Sequence, residues 1–426
     1  MDDHPVFAKC AWRLIPLIFV LYLVNFIDRV NVGFAALTMN ADLNFSPAIF
    51  GFGGGIFFLG YSLFQIPANL ILERVGARRW IFFILLVWGA VSASTAFITS
   101  PAGFYAVRIL LGIAEAGFFP GMVLYLTYWF PKAYRARLVA NFMLAIPFAN
   151  MVGGPASGLL LGMEGILGLH GWQWLFLIEG APACVIAFAV LAWLPSRPAD
   201  AHWLSAEEKR TIAERLASEE SVRHRRLLTA LIDPKVWALG LVYLGYAISY
   251  YGVQLWLPQI VQAMGFSNLA TSFLVVLPFA ATMIAMFFWG RSSDRTGERI
   301  WHVAIPALAA MASLIVASIS GSNLVIFLAL TVAVMSLMSL QGPFWALPQS
   351  YLGGVAAAGG IALINTLGTG AGGFVGPYVV GVLKSATGGY AVPMAVLSVA
   401  PAMTALVVLS LKRSVAAKPA ISLAGS

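Results

Sequence analysis

Twelve stretches of about 20 predominantly apolar residues occupy most of this 426-residue chain. Such a stretch is long enough to cross a bilayer as a helix. Only 10% of the residues are charged and the mean hydropathy is +0.88, whereas about 25% of the residues of a soluble domain are charged. The sequence therefore predicts an all-α membrane protein with 12 transmembrane helices, near residues 12–36, 47–71, 80–98, 102–129, 136–162, 172–194, 236–262, 270–290, 302–319, 324–346, 355–383 and 388–411.

The basic residues of the chain indicate its orientation. Of the 25 Lys and Arg residues, all but Arg29, Arg108 and Lys384 fall in the two tails and in the loops on one face of the membrane. Cytoplasmic loops accumulate Lys and Arg, so we expect a multi-pass protein of the cytoplasmic (inner) membrane with both termini in the cytoplasm. Because the basic residues are dispersed, the net charge of +8 reflects topology and does not indicate a nucleic-acid partner.

A polar stretch at 195–235 divides the chain into two halves. We predict an N-terminal six-helix half at 1–194, a cytoplasmic linker at 195–235, a C-terminal six-helix half at 236–411 and a cytoplasmic tail at 412–426. Within the linker, Ser205 followed by Glu208 is a capping-box pattern, which predicts a short helix followed by mixed charges as far as Arg226.

Two short motifs recur at nearly the same separation. Glu73-Arg74 with Gly76 follows the second apolar stretch, and Asp294-Arg295 with Gly297 follows the eighth, at an offset of 221 (294 − 73) in the numbering. Gly-Pro at 154–155 recurs at 376–377, an offset of 222. Because two unrelated motifs recur at nearly the same offset, we infer two six-helix structural repeats. Parallel repeats of six helices, with a substrate site at mid-membrane, define one large transporter architecture.

Four ionisable residues lie inside the apolar stretches: Asp28, Arg29, Arg108 and Glu115. A charge at the centre of a bilayer costs roughly 2.5–3.5 kcal/mol, so such residues usually indicate a functional site. Adjacent residues point about 100° apart around a helix, whereas Arg108 and Glu115, two turns apart, share one face. The alternative is that the four merely pair, although buried pairs are often replaceable by apolar packing.

These motifs also resemble a known family. The loop at 73–79, its copy at 294–299 and the Gly-Pro elements resemble the major facilitator superfamily over the whole chain. The segments 25–35 and 108–121 resemble its anion:cation symporter family, and 171–174, 179–180 and 194–199 are similar to the bacterial and fungal members that carry tartrate, galactonate, phthalate or hydroxyphenylacetate. The first loop departs from the superfamily at Asn69, Glu73 and Ala77, where Gly, Asp and a basic residue are usual.

The buried charges can be given roles. Arg29, and with it Arg108, suits a substrate carboxylate, because guanidinium offers a planar two-pronged donor and keeps its charge. Asp28 and Glu115 can change their charge, so a bound proton and a bound anion favour each other. The resemblance assigns Asp28 and Glu115 the same proton-coupling role.

Polar and aromatic residues at similar depth are further candidates. Packing or lipid-interface anchoring is the alternative for each of them. The candidate substrate-binding residues are Tyr61, Tyr250, Tyr251, Gln254, Trp345 and Asn365. The candidate gating residues, in the two repeated loops, are Glu73, Arg74, Arg78, Asp294 and Arg295.

Several function classes are disfavoured. The five histidines show no metal-ligand spacing, and no Gly-rich nucleotide loop is present, so we expect no metal, no cofactor and no ATP-driven transport. A membrane enzyme or sensor is disfavoured, because the sequence lacks paired acidic metal-binding motifs and a soluble domain.

We predict proton-coupled uptake of a small organic anion, a sugar acid, tartrate-like dicarboxylate or aromatic carboxylate, by a monomer that alternates access in the lipid bilayer. A proton-coupled exporter or a facilitator of another small solute is the alternative.

Overall fold

The computed structural model describes residues 5–143, 145–217, 233–351 and 354–416, and all the regular elements in these ranges are helices. The first half of the chain carries nine α-helices in the described residues. They are α1 (Pro5–Asp42), α2 (Pro47–Val75), α3 (Ala77–Ser94), α4 (Pro101–Glu115), α5 (Phe118–Thr127), α6 (Lys132–Met143), α7 (Ala145–Leu161), α8 (Gly171–Trp193) and α9 (Ala206–Ala217).

The second half continues the all-helical pattern, with a seven-residue π-helical turn at Thr366–Gly372. Its helices are α10 (Pro234–Gln262), α11 (Asn268–Leu274), α12 (Val276–Thr296), α13 (Ile300–Ile319), α14 (Asn323–Ser339), α15 (Gln341–Tyr351), α16 (Gly354–Asn365), α17 (Gly373–Thr387), α18 (Ala391–Leu397) and α19 (Val399–Ala416).

The predicted twelve-span fold is confirmed. Eleven helical segments of the described chain are long and apolar enough to cross a membrane, and the shorter apolar α7 completes the fifth span after α6. Helix bounds differ from those predicted, because hydropathy detects only the apolar middle of a helix and not its polar ends. The first helix therefore extends over Pro5–Asp42, and the fourth span is divided into α4 and α5 at Ala116-Gly117.

The internal repeat is visible in the helix caps. The Ser46 hydroxyl accepts a hydrogen bond from the Ile49 N–H (3.3 Å), and at the equivalent position of the second repeat the Ser267 hydroxyl accepts one from the Ala270 N–H (3.2 Å). Gly76 and Gly297, which are equivalent in the same way, both have left-handed φ angles, +88° and +67°. Since L-residues rarely adopt this conformation, each glycine allows its helix to end in a tight turn.

Close packing of α2 against α4 positions the residues that surround the buried charges. A Cβ on Gly60 of α2 would lie 2.6 Å from the Ile109 carbonyl oxygen, and a Cβ on Gly112 of α4 would overlap the Phe57 carbonyl. Only glycine permits this backbone approach. The contact holds Phe57 and Tyr61 of α2 beside the polar face of α4.

The predicted linker helix forms as α9. The Glu208 N–H donates to the Ser205 hydroxyl (3.1 Å), and the Glu208 carboxylate accepts from the Ser205 N–H (2.8 Å), so the capping box is confirmed. Lys9 at the start of α1 donates to the same carboxylate at 2.8 Å, and this ammonium together with the Ser205 N–H lowers the pKa of Glu208. The rest of the charged stretch, through Arg226, lies outside the described residues.

The described residues form two compact units. The first comprises the described residues up to 217 together with 254–280, and the second comprises 233–253 and the described residues from 281 onward. Helix α10 contributes its first part to the second unit and its last part, from Gln254, to the first. The domain boundaries expected from the sequence remain a prediction.

Candidate functional site

A short polar segment of α1 organises the buried charges of the first unit. Asn25, Asp28 and Asn31 are each 1% exposed. Asp28 accepts hydrogen bonds from the Trp88 indole and the Ser92 hydroxyl, which lie one turn apart on α3, and from the Asn31 amide at 3.0 Å. Three donors therefore surround this carboxyl, and none of them is cationic.

Arg29 points in a different direction from Asp28, as expected for an adjacent residue on a helix. Its guanidinium donates to Glu115 Oε2 at the end of α4, from Nη2 at 2.7 Å and from Nε at 3.3 Å. The Asn25 amide donates to the same oxygen at 2.8 Å. The Arg29 side chain is 10% exposed and that of Glu115 is fully buried, so this is an ion pair in a nearly dry environment.

Aromatic rings surround the Arg29 guanidinium. Its carbon lies 5.0 Å from the ring centres of Phe26 and Tyr61 and 5.3 Å from that of Phe57. Such cation–π contacts favour a guanidinium that has lost most of its water. Tyr61, a predicted substrate-binding residue, is 4% exposed and belongs to this cluster.

Arg108 is placed differently from Arg29. It is 2% exposed, its Nε donates to the Gly53 carbonyl at 3.4 Å, and its guanidinium lies 4.8 Å from the Phe57 ring centre. The ionic partner of Glu115 is therefore Arg29 on α1, and not Arg108 on its own helix. Sequence spacing had grouped Arg108 with Glu115, because residues seven apart share a helix face.

Two buried acceptors beside the ion pair are unsatisfied. Within the described residues, Glu115 Oε1 and Asn25 Oδ1 have no hydrogen-bond partner. A buried acceptor without a donor costs free energy comparable to a lost hydrogen bond. A proton on Glu115 Oε1 would turn one of these unsatisfied acceptors into a hydrogen-bond donor.

The remaining substrate candidates divide between the two units. In the first, Gln254 donates to the Asn150 side chain at 3.3 Å. In the second, Tyr250 is 3% exposed and lies edge-on to Tyr251, with ring centres 5.2 Å apart.

Trp345 and Asn365, also in the second unit, lie in different surroundings. The Trp345 ring lies edge-on to Tyr243, with ring centres 4.9 Å apart. Asn365 accepts from the Thr369 hydroxyl at 2.9 Å, at the start of the π-helical turn. The substrate-binding roles of these residues remain predictions.

The candidate gating residues differ in the contacts they make. The Arg78 side chain donates to the Leu191 carbonyl, and its N–H donates to Ser196. Asp294 pairs with Arg299 at 2.8 Å. In the described residues Glu73, Arg74 and Arg295 make no ion pair, so the gating role of this group stays a prediction.

A fifth buried ionisable residue was missed in the sequence. Glu179 lies in the third turn of α8 and is 7% exposed. The prediction of four intramembrane charges is therefore wrong, because Glu179 also lies within an apolar stretch, at 172–194. The signal that identified the other four, an ionisable residue within an apolar stretch, applies to it equally.

Sequence comparisons identify relatives that extend over nearly the whole chain. A model of the Major Facilitator Superfamily matches residues 18–377. The "Putative tartrate transporter" of Agrobacterium vitis is 45% identical, covering 96% of this chain and 95% of that protein. The "Quinolone resistance transporter" of Acinetobacter baumannii is 41% identical over 93% of this chain and 92% of its own length. The "Inner membrane transport protein RhmT" of Escherichia coli (strain K12) is 38% identical over 87% of each chain.

Solved structures show the same fold. A bacterial homolog to the human lysosomal transporter Spinster, in an inward-facing and unoccupied conformation, superposes with a TM-score of 0.80 at 18% identity and covers 99% of this chain and all of its own. A D-xylose-proton symporter superposes with a TM-score of 0.69 at 16% identity, covering 94% of this chain and 96% of that one. At these identities the likeness establishes the architecture alone.

Proposed function

The chain belongs to the Major Facilitator Superfamily, and on that premise we propose that it is a proton-coupled symporter for a small organic anion. Its family and its transporter-named relatives make it a multi-pass membrane protein that carries small solutes by secondary transport, and not an enzyme. The family prediction is confirmed, and the relatives are consistent with the anion:cation symporter family. The choice of proton and anion is our proposal.

The ion pair between Arg29 and Glu115 carries this proposal. The Glu115 carboxylate binds the Arg29 guanidinium as a substrate carboxylate would, through a charge-assisted hydrogen bond of 2.7 Å. Protonating Glu115 removes its charge and makes the Arg29 donors available to a bound anion. The substrate then replaces Glu115 as the anionic partner, and the pair of bound charges stays neutral.

The energetics favour joint binding of proton and anion. An anion that bound beside an ionised Glu115 would leave two buried carboxylates at one guanidinium. An uncompensated buried charge costs about 3–5 kcal/mol, or roughly two to four powers of ten in affinity at about 1.4 kcal/mol per tenfold. By linkage the anion favours protonation by the same factor. This mutual preference is the coupling that a symporter needs.

Asp28 and Arg108 complete the charged cluster in our proposal. Asp28 is a second carboxyl that can take up a proton, and its three neutral donors keep it oriented in either state. Arg108 supplies a second positive charge behind Phe57. A cluster with two arginines favours anions over cationic solutes.

We further propose uptake across the inner membrane with both termini in the cytoplasm. The Agrobacterium vitis relatives are named for tartrate, which makes a hydroxylated dicarboxylate the first substrate to test. The contact of Lys9 with Glu208 supports this orientation. It joins the start of α1 to the linker helix α9, so the chain between them crosses the membrane an even number of times. We expect a monomer to be sufficient.

Uptake into proteoliposomes tests this function. Purified protein would be assayed in sodium-free buffer, under an inward proton gradient, with radiolabelled tartrate, sugar acids and aromatic carboxylates, and with neutral sugars as controls. We expect at least one carboxylate to accumulate above its outside concentration and the sugars not to. Accumulation of only neutral or cationic solutes would refute the proposal.

One relative favours a second candidate function. The Acinetobacter baumannii protein is named for quinolone resistance at 41% identity, and quinolones carry both a carboxylate and an amine. Quinolone efflux from loaded cells, measured alongside carboxylate uptake, separates the two. Efflux without carboxylate uptake would favour an exporter.

A further inference from the structure

Glu179 is a buried carboxyl that the mechanism above does not use. It lies on α8, which packs against α1, α3 and α7, and its side chain faces α1 and α7. The Ser157 hydroxyl of α7 donates to Glu179 Oε1 at 2.9 Å. This is one neutral hydrogen bond for a residue that is 7% exposed.

The second oxygen of Glu179 lacks a donor. Oε2 is buried and accepts no hydrogen bond from any described residue, and no described Lys, Arg or His forms an ion pair with this carboxyl. Removing an unpaired carboxylate from water is unfavourable in free energy. A proton on Oε2 removes this cost and turns the unsatisfied acceptor into a donor.

Asn31 of α1 joins Glu179 to Asp28. Its amide nitrogen donates to Asp28 Oδ1 at 3.0 Å, its side chain lies within interaction range of the Glu179 carboxyl, and its own Oδ1 is buried without a donor. An amide has a donor end and an acceptor end. It can therefore serve one ionised and one protonated carboxyl at the same time.

We propose that Asp28 and Glu179 share one proton across Asn31, and that in this conformation the proton is on Glu179. The Glu179 hydroxyl then supplies Asn31 Oδ1 with a donor, while the Asn31 N–H donates to the Asp28 carboxylate. A half-turn of the amide exchanges the two roles, so the move of the proton to Asp28 leaves every group bonded. The pair is thus a second proton-binding site, separate from Glu115.

The number of donors decides which carboxyl is ionised. Asp28 accepts from Trp88, Ser92 and Asn31, whereas among the described residues Glu179 has one hydrogen bond of normal length, from Ser157, together with its interaction with Asn31. A carboxylate with more donors holds its charge better. The positive charge of Arg108 also acts on Asp28 and not on Glu179.

The charged groups around this pair act mainly on Asp28, which interacts with Arg108 and Glu115 of α4 and with Cys184 of α8. The charge of Asp28 acts on Glu179 from α1, and among the described residues of α7 the Ser157 hydroxyl bonds to it. On α8 itself, Cys184 donates to the Leu86 carbonyl of α3 at 3.7 Å. The Asp28 charge is therefore the main electrostatic influence that a substitution can remove.

Infrared difference spectroscopy on the purified, substrate-free carrier tests the proposal. A protonated carboxyl has a carbonyl stretch distinct from that of a carboxylate. We expect such a band at neutral pH, its loss in Glu179→Gln, and its persistence in the matched control Glu164→Gln, whose side chain is 55% exposed. In Ser157→Ala the band should remain and shift in frequency, because the carbonyl oxygen loses its hydrogen bond.

Coupling to Asp28 is read from the pH at which the Glu179 band disappears. Replacing Asp28 with Asn removes the neighbouring negative charge, so Glu179 should ionise at a pH lower by about one unit, as for interacting carboxyl pairs. Identical spectra for the unmodified protein and Glu179→Gln would overturn the proposal, as would an unchanged midpoint in Asp28→Asn.

The role of this pair in transport rests on the proposed proton-coupled function, but its spectrum does not. A carrier that proved not to be proton-coupled would still show the Glu179 band, whereas a missing band would leave symport through Glu115 intact. Different measurements would therefore contradict the shared proton and the proton-coupled symport.

Discussion

The two units of this protein differ in what they bury. The described membrane helices of the first unit enclose Asp28, Arg29, Arg108, Glu115 and Glu179, all on α1, α4 and α8. In the described helices of the second unit, Asp, Glu, Lys and Arg lie only within about two turns of a helix end. The interior of that unit contains neutral groups in place of these charges, among them a cluster of rings in which Tyr243 stacks on Tyr246 and Phe344.

This difference suggests a division of work. Charged groups can bind protons and carboxylates, whereas neutral rings and hydroxyls distinguish one carboxylate from another by shape and hydrogen bonding. We therefore expect substitutions in the first unit to affect coupling, and substitutions in the second to affect which substrate is carried. Each prediction below tests one side of this comparison.

The largest effect is expected for Arg29→Lys. Lysine keeps the charge but loses the planar fork and the contacts with three rings, so carboxylate uptake should fall on the order of a hundredfold. Initial rates in proteoliposomes measure this, with the exposed Arg210→Lys on α9 as a matched control. Uptake near the unmodified rate would reduce Arg29 to a counter-ion of Glu115.

The next largest effect is expected for Glu115→Gln. The amide mimics the protonated state, so the variant should still exchange substrate for substrate but no longer concentrate it in response to a pH gradient. Counterflow and gradient-driven uptake, assayed on the same vesicles, separate the two activities. If the variant still accumulates substrate under a pH gradient alone, Glu115 is not needed for coupling.

A smaller, more selective effect is expected in the second unit. Removing the hydroxyl in Tyr251→Phe should change KM for one carboxylate relative to another by about two- to tenfold, the value of one net hydrogen bond, without altering the number of protons carried per substrate. Competition assays with a carboxylate panel measure it, and Tyr378→Phe on α17 serves as the control. A changed proton stoichiometry would break the proposed division.

The smallest effect concerns a carboxylate of the first unit outside the membrane helices. The Gly171 N–H at the start of α8 donates to Glu164 at 2.7 Å, and it lowers the pKa of this carboxyl together with His170. A lowered pKa contributes stability above the ordinary glutamate value of about 4.3, and this contribution is lost as the pH falls through the lowered value. Glu164→Gln should therefore reduce the melting temperature by about 1 °C at neutral pH. Thermal unfolding at pH 7 and pH 3.5 measures the difference, and an equal loss at both would contradict the assignment.

Much of the fold could be predicted from the sequence, because its signals are local. Apolar stretches mark the helices, and the charged loop motif and the Gly-Pro elements, which recur at nearly the same offset, mark the repeat. The different directions of Asp28 and Arg29 follow from the rotation of about 100° between neighbouring helical residues. The predicted positions of the helix ends are less accurate, because polar residues continue a helix beyond its apolar part.

The site was harder to predict, because its contacts join different helices. The pairing of Arg29 with Glu115 depends on how α1 packs against α4, and no spacing along one helix reveals it. The link between Asp28 and Glu179 likewise depends on the contact of α1 with α8. Sequence reasoning identified most of the charged residues, and only the folded chain shows their partners.

Substrate-driven proton movement tests the central claim most directly. Proteoliposomes containing a pH-sensitive dye, in sodium-free buffer, would receive an inward gradient of a transported carboxylate such as tartrate. We predict acidification of the interior with the unmodified protein and none with Glu115→Gln. With an imposed pH gradient, a protonophore should abolish substrate accumulation, and full accumulation after the proton gradient has collapsed would contradict proton-coupled symport.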